Sequence, residues 1–366
     1  MNLFSPFRCR GMQLRNRVVM APMTREFAPR GVPTDQMTEY YRKRAAGGTA
    51  LIITEGTPPD AVGAFGANVP RFYGEDALAG WGRVAQAVHA EGAAIMAQLW
   101  HVGAFEPSVI GMQDSLALQN RLSPSGLAGP SRPLGRAMTQ GDIDATIGAF
   151  GAAVHGARRL GFDGVEIHGA HGYLADQFLW GSTNARTDQY GGDLRARTRF
   201  AVELVRECRR QAGEDMALSF RISQWKQLDY GARIAQSPQE LAQILEPLVD
   251  AGVDLFHCST RRYWEAAFED SELSLAAWVR RLSGRPTITV GSITLGNDFK
   301  SAQGKQQAAP APQQIADIER RLQEGMFDLI AVGRALLANP DWVQLVQAGH
   351  ADRLRQFSKA QLEELL

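Results

Sequence analysis

Two histidines and a tyrosine close to one another near the middle of the chain are the first side chains that could carry out chemistry. His168 ends a short apolar run, and His171 and Tyr173 follow it in a glycine-containing loop. Paired imidazoles can bind a metal ion, donate two hydrogen bonds to one oxygen, or simply pack. A zinc site needs a third ligand, for which Glu166 is the nearest candidate, but the His-x-His motif of barrel metallohydrolases is missing. The residues therefore favour oxygen binding, with metal binding and packing as alternatives.

A second candidate site consists of two glycines that each follow an apolar run near the C-terminus. Gly291 and Ser292 follow one run, and Gly333 and Arg334 follow the next. Glycine backbone N–H groups at such positions often bind phosphate, and an arginine can add a positive charge. Either glycine alone could simply form a turn. Together, at consecutive run ends, they predict a phosphate site.

Gln98 and Arg221 form a third candidate pair, because each ends a run whose other residues are apolar. A glutamine amide offers both a donor and an acceptor to the edge of a heterocycle. A buried arginine needs an anion or a strong acceptor. The alternatives are a structural salt bridge for Arg221 and a loop hydrogen bond for Gln98.

These residues must be positioned by a regular alternation of short apolar runs and longer segments of helical period, which predicts an α/β fold with a parallel sheet. The predicted strands are Val18–Met23, Ala50–Gly56, Ala94–Trp100, Gly164–Gly169, Ala217–Ser223, Asp254–Thr260, Pro286–Ser292 and Leu329–Arg334. The predicted helices include Asp76–Glu91, Gln140–Leu160, Leu194–Ala212, Pro238–Ala251 and Pro312–Gly325.

Eight such units could form a closed (β/α)8 TIM barrel or a doubly wound open sheet. A nucleotide-binding open sheet should have a glycine-rich turn after its first strand, whereas here the sequence Ala21-Pro22-Met23-Thr24 contains no glycine. Polar residues end most of the strands, which is where a barrel keeps its active site. We therefore predict one TIM-barrel domain over residues 1–366, with insertions at 103–136 and 295–313 above the active face. The first is expected to act as a lid, and the second is either a lid or a solvated, mobile insertion.

Composition limits the classes of partner. Lys plus Arg equals Asp plus Glu, at 39 each, so no positive surplus points to nucleic acid or an anionic membrane. Neither a secretory signal nor an apolar run long enough to span a bilayer is visible. The three cysteines, Cys9, Cys208 and Cys258, are far apart and suggest neither a disulfide framework nor a CxxC metal site. We expect a soluble cytoplasmic protein, with a homo-oligomer as a possibility.

Along nearly its whole length the chain resembles the old yellow enzyme family of flavoproteins. The resemblance rests on motifs that occur in the family's order, which are Asn16-Arg17, residues 21–25, Tyr40-Tyr41 through Arg44-Ala45, Thr54-Glu55-Gly56, residues 97–101, 165–174, 176–179 and 184–192, and the two glycine strand ends. It implies non-covalent FMN, with NADPH or NADH as reductant, and small electron-poor alkenes as substrates.

The resemblance also implies a role for each site residue. The flavin would be bound by Pro22, Met23, Thr24 near its O4, Gly56, Gln98 at the pyrimidine edge and Arg221 near N1 and O2, and its phosphate by Gly291, Ser292, Gly333 and Arg334. His168 and His171 would bind the carbonyl or nitro oxygen of the substrate, Trp100 would shape the pocket, and Tyr173 would donate a proton, since a tyrosine is protonated at neutral pH. The chain would then be an ene-reductase.

Two departures and several alternatives remain at this point. Many relatives pair His with Asn, whereas this chain has His168 and His171, and either pair can bind an oxygen. Tyr263 and Trp264 follow the sixth strand and are expected either to reach the substrate pocket or to pack on the surface. Alternative functions are a 2,4-dienoyl-CoA-type or amine-oxidising flavoenzyme, a metal-dependent barrel hydrolase, and a flavin-binding redox sensor. The absence of a cysteine cluster after the barrel argues against the first of these.

Overall fold

A closed barrel of eight parallel strands is the central element of the computed structural model, which describes residues 1–63, 66–112, 120–296 and 309–365. Its strands are β1 (Val18–Met20), β2 (Leu51–Thr57), β3 (Ala94–Leu99), β4 (Gly164–His168), β5 (Ala217–Ser223), β6 (Leu255–Ser259), β7 (Thr287–Val290) and β8 (Leu329–Val332). Each strand pairs with the next, and β8 pairs with β1. All eight predicted strands are confirmed, and the barrel rather than the open sheet is formed.

The strands are continuous apolar runs because both of their faces are buried. Val19, Leu51, Met96 and Leu255 belong to a cluster that fills the barrel interior. An N-terminal hairpin, Phe7–Cys9 and Met12–Leu14, adds side chains to the same cluster. The Gly11 N–H of this hairpin donates to the carbonyl oxygen of Asp215, just before β5, at 2.9 Å. The hairpin therefore covers the end of the barrel where the strands begin, opposite the predicted active face.

Helices cover the outside of the barrel, and five of the ten described α-helices begin at a side chain that accepts a hydrogen bond from the first turn. Thr139 and Asp142 form a capping box, and Asp193, Ser237 and Ser274 act as N-caps. No described helix is long and apolar enough to cross a membrane. The helices are α1 (Asp35–Ala46), α2 (Glu75–Ala90), α3 (Gln140–Arg159), α4 (Leu174–Leu179), α5 (Leu194–Ala212), α6 (Pro238–Ala251), α7 (Leu275–Ser283), α8 (Ala311–Gln323), α9 (Arg334–Ala338) and α10 (Trp342–Gln347), and they include all five predicted ones.

The insertion at 103–136 is partly folded. It contains the short strands Leu122–Ser123, Leu127–Gly129, Arg132–Pro133 and Arg136–Ala137, which pair with one another. Phe105 lies with its ring centroid 4.8 Å from that of Tyr173, so the insertion covers one predicted catalytic residue. Residues 113–119 of this insertion lie outside the described residues, as do 297–308 of the predicted mobile segment 295–313.

A buried ion pair fixes the loop that follows β4. Lys226 Nζ lies 2.7 Å from Asp176 Oδ1, and neither side chain is exposed. The other carboxylate oxygen of Asp176 accepts the Gly172 N–H at 2.7 Å. Next to Gly172, His171 has a left-handed backbone with φ of 67°, which is uncommon for a residue other than glycine. The ion pair thus joins the His171 loop to the loop after β5.

The two charges of this pair depend on each other. Burial raises the pKa of the Asp176 carboxyl and lowers the pKa of the Lys226 ammonium, while the opposite charge acts against each shift. Removing one partner would leave an uncompensated charge in the interior, which is far more costly than losing an exposed ion pair.

We predict that Lys226→Met lowers the free energy of unfolding by about 3–5 kcal/mol. Replacing both partners, in Lys226→Met/Asp176→Leu, should restore a large part of that loss. The matched control is Arg199→Met, which removes a half-exposed ion pair with Glu203 and should cost about 1 kcal/mol or less. Urea unfolding measures all three. If Lys226→Met and Arg199→Met lowered the free energy of unfolding equally, that result would contradict the claim that buried charge holds the strained loop.

Candidate active site

A cavity opens where the barrel strands end, and it encloses about 970 Å³ of space, part of it open to solvent. Residues that follow β1, β4, β5, β7 and β8 contribute to its wall. Eight of the predicted site residues line it, namely Pro22, Met23, His171, Arg221, Gly291, Ser292, Gly333 and Arg334. The structure therefore brings together the predicted phosphate site and part of the predicted substrate site.

The two positions of the predicted phosphate site that carry glycine do so for different structural reasons. A Cβ at Gly291 would lie 2.6 Å from the carbonyl oxygen of Thr260, so the neighbouring loop already requires a glycine there. A Cβ at Gly333 would meet nothing closer than Met23 Sδ at 3.5 Å. Gly333 and Arg334 both line the cavity, where a side chain in place of the glycine would take up space. Space beside a cation fits a phosphate group.

Arg221 lies at the base of the cavity with its hydrogen bonds incompletely used. Its Nη2 donates to Ser259 Oγ at 3.5 Å, whereas Nε is buried without a partner among the described residues. Burial lowers the pKa of this guanidinium, and the nearby Glu166 carboxylate acts in the opposite direction. A buried, unsatisfied donor of a cation costs free energy unless a ligand supplies an acceptor. Arg221 therefore fits the electron-rich edge of a heterocycle.

Gln98 is oriented by a buried carboxylate inside the barrel. Glu166 accepts hydrogen bonds from Gln98 Nε2 at 2.8 Å and from Ser219 Oγ at 3.0 Å, and His257 Nδ1 lies 2.9 Å away. Burial alone would raise the pKa of Glu166, but His257, Arg221 and Gln98 lower it to about 2. An ionised carboxylate only accepts, so the Gln98 nitrogen must face it. The amide oxygen of Gln98 is then left as an acceptor for another donor.

His168, His171 and Tyr173 form the cluster that the sequence predicted. The His168 and Tyr173 ring centroids lie 4.9 Å apart, and His168 Nε2 lies 3.3 Å from His171 Nδ1. Burial, followed by the charge of Arg221, lowers the pKa of both imidazoles well below the usual range. Burial raises the pKa of Tyr173. The cluster therefore offers neutral imidazoles and a protonated phenol at neutral pH. Among the described residues, no group of three or more His, Cys, Asp or Glu side chains could hold a metal ion.

Trp100 packs against this cluster from the side of β2 and β3. Its ring centroid lies 5.1 Å from that of Tyr173, with the rings nearly perpendicular. A Cβ at Gly56 would lie 2.6 Å from Trp100 Cε3, so the tryptophan occupies the space that the glycine leaves. Thr24, by contrast, is exposed and is not among the residues that line the cavity.

Tyr263 and Trp264 do not line the described cavity. The Tyr263 hydroxyl donates to Asp317 Oδ2 at 3.0 Å, on α8, and the Trp264 ring packs against Tyr263. Of the two alternatives drawn from the sequence, these contacts correspond to packing. The phenol hydroxyl turns outward because α8 supplies an acceptor for it.

Three residues without a predicted role line the cavity beside His171. The Trp225 ring lies 4.4 Å from the His171 ring, and the Tyr230 ring stacks on Trp225 at 5.4 Å. Ser259 Oγ lies 2.8 Å from His171 Nε2. Because Ser259 ends β6, the sequence alone shows it as a polar residue at a strand end. Trp225 and Tyr230 lie in a loop, and the path of that loop cannot be predicted from a local sequence pattern.

Comparison with known proteins shows which family the sequence resembles. A model of the NADH:flavin oxidoreductase / NADH oxidase family matches residues 2–310. The chain is 33% identical over 370 residues to an NADH oxidase of Thermoanaerobacter brockii, covering 97% of this chain but 52% of that protein, so it spans about half the length of that relative. It is also 33% identical over 350 residues to a chanoclavine-I aldehyde reductase of Penicillium roqueforti, covering 95% of this chain and 89% of that protein.

A solved structure extends the agreement to the whole fold. The old yellow enzyme homologue of Zymomonas mobilis superposes with a TM-score of 0.80 at 26% identity, covering 99% of this chain and 96% of that chain. The family match extends over most of the sequence and includes barrel strands β1 to β7, whereas β8 lies beyond it. The chain therefore belongs to the NADH:flavin oxidoreductase / NADH oxidase family, the old yellow enzymes.

Proposed function

We propose that this protein is an FMN-dependent ene-reductase that reduces the carbon–carbon double bond of α,β-unsaturated carbonyl or nitro compounds, with NADPH or NADH as reductant. The observation that supports this most directly is the cluster of two neutral imidazoles and a protonated tyrosine, of which His171 lines the same cavity as Arg221. The substrates are small electron-poor alkenes, and a nicotinamide would use the same cavity in turn.

The residues of the cavity fit FMN. Gly333 and Arg334, with Gly291 and Ser292, would hold the phosphate. Arg221 Nε and the free amide oxygen of Gln98 would meet the pyrimidine edge, where a buried cation also offsets negative charge. Pro22, Met23 and Thr24 follow β1 and would lie along the ring, and Gly56 and Trp100 would bound it on the side of β2. When bound, FMN supplies the hydride, from its N5, to the β-carbon of the alkene.

The histidine pair would activate the substrate. Two N–H groups that donate to one carbonyl or nitro oxygen withdraw electron density from the conjugated β-carbon and stabilise the negative charge that develops on that oxygen. Because burial keeps the pKa of both rings low, they act as hydrogen-bond donors without carrying a charge.

Tyr173 would complete the reaction by protonating the α-carbon. Its pKa is raised by burial, so its proton is retained until a strong base forms nearby. The rings of Trp100 and Phe105 hold the phenol on two sides, at 5.1 and 4.8 Å between centroids.

The direct test is turnover by the purified, FMN-loaded protein without oxygen. We expect alkene-dependent oxidation of NADPH or NADH with cyclohexenone, a nitroalkene or a maleimide, and a saturated product by gas chromatography. A chelator should leave the rate unchanged. Chelator-sensitive hydrolysis, or no alkene reduction with either nicotinamide, would contradict the proposal.

We predict that Arg334→Ala weakens FMN binding by about ten- to hundredfold, the usual value of a hydrogen bond to a charged group. Flavin fluorescence during titration measures the dissociation constant. Arg285→Ala is the matched control, because Arg285 precedes β7 and therefore lies at the other end of the barrel. Equal losses in both variants would remove Arg334 from the phosphate site.

We predict that Tyr173→Phe slows only the alkene half-reaction. Stopped-flow measurements should show near-normal reduction of the bound flavin by the nicotinamide and about hundredfold slower reoxidation by an enone, because a general acid is lost. The deficit should shrink for a nitroalkene, whose nitronate product can leave unprotonated. Equal slowing of both substrates would assign Tyr173 to positioning instead of proton transfer.

A further inference from the structure

The hydrogen bonds around His171 define which of its ring nitrogens carries the proton. The Ala170 N–H donates to His168 Nδ1 at 3.4 Å, so the proton of neutral His168 is on Nε2. That Nε2–H points to His171 Nδ1, 3.3 Å away, which must then be bare. The proton of His171 is therefore on Nε2, which faces Ser259 Oγ at 2.8 Å.

This arrangement is not the one that a substrate oxygen needs. An oxygen that accepts from both rings requires N–H groups on His168 Nε2 and His171 Nδ1. His171 must then move its proton to Nδ1 and leave Nε2 bare, still facing Ser259. A bare nitrogen buried at that distance needs a donor, because an unpaired buried acceptor is costly.

A serine hydroxyl can meet both requirements, because it either accepts or donates by rotating its proton. Arg221 Nη2 donates to Ser259 Oγ at 3.5 Å, and a hydroxyl oxygen that accepts from Arg221 keeps its own proton free for His171. Ser259 is buried at 4% exposure, so water competes little for the hydroxyl.

We propose that Ser259 is a positioning residue that lets His171 exchange the ring nitrogen carrying its proton, from Nε2 in the free site to Nδ1 when an oxygen ligand binds. The inference rests on the proposed function, since it requires an oxygen between the two rings. It gives Ser259 no contact with the reacting atoms. Ser259 instead makes the second hydrogen bond available.

Phenol is the probe, because a phenol oxygen resembles the enolate oxygen formed after hydride transfer. In ¹⁵N-histidine-labelled, FMN-loaded protein, which has seven histidines, phenol should move the proton of one ring from Nε2 to Nδ1. His171→Asn, which should lose that signal, assigns it. A spectrum in which phenol binds and His171 keeps its proton on Nε2 would overturn the proposal without using any variant of Ser259.

Binding measurements then isolate the hydroxyl. Ser259→Ala should weaken phenol binding about three- to tenfold, the value of one hydrogen bond. In a His171→Asn background, whose amide has no ring proton to move, the same substitution should change binding by less than about twofold. Ser223→Ala is the matched control, because Ser223 Oγ accepts the His171 backbone N–H at 3.0 Å and does not contact the ring.

The outcomes separate this proposal from the proposed function. Failure of phenol to bind the unsubstituted protein would overturn both. Tight phenol binding that Ser259→Ala leaves unchanged, or that Ser259→Ala weakens equally in the His171→Asn background, would overturn only the role of Ser259. Weakening of phenol binding in Ser223→Ala equal to that in Ser259→Ala would also contradict it.

Discussion

The buried ion pair between Lys226 and Asp176 is the constraint on which the arrangement of the proposed substrate site depends. It joins the loop after β4 to the loop after β5, and its carboxylate also binds the backbone beside His171. His171 is held in a backbone conformation that the chain would otherwise leave, and its carbonyl oxygen accepts from the Gln227 N–H at 3.1 Å. Strain of this kind persists only where the surrounding structure fixes it. The strained backbone of the loop therefore lowers stability, and it holds the His171 imidazole in position.

A second set of buried charges lies deeper in the barrel and serves the other side of the cavity. Glu166 compensates Arg221 electrostatically and orients Gln98, while apolar side chains fill the rest of the interior. Arg221 in turn donates a hydrogen bond to Ser259, and Ser259 is hydrogen-bonded to His171. The groups proposed to bind the flavin and the groups proposed to bind the substrate oxygen are thus connected by two hydrogen bonds across β5 and β6. A change of charge at Arg221 can therefore alter the hydrogen bonding of His171.

The fold could be predicted from the sequence because each barrel strand is buried on both faces and reads as a short apolar run. The strand-end positions of His168, Arg221, Gly291 and Gly333 followed from the same pattern, since the carboxyl ends of all eight strands meet at one face. Contacts between distant segments could not be predicted. Ser259 and His171 are 88 residues apart, and Lys226 and Asp176 are 50 apart. The direction of Tyr263 depended likewise on an acceptor in α8.

The left-handed backbone at His171 also bears on how this position can evolve. Positive φ is uncommon outside glycine, but asparagine and histidine are found there more often than most other residues, and both can present an N–H to an oxygen. Their codons differ at a single base. One can therefore replace the other without passing through a residue that either strains the loop or loses the donor. The main-chain conformation and the need for an N–H donor together narrow the choice to these two.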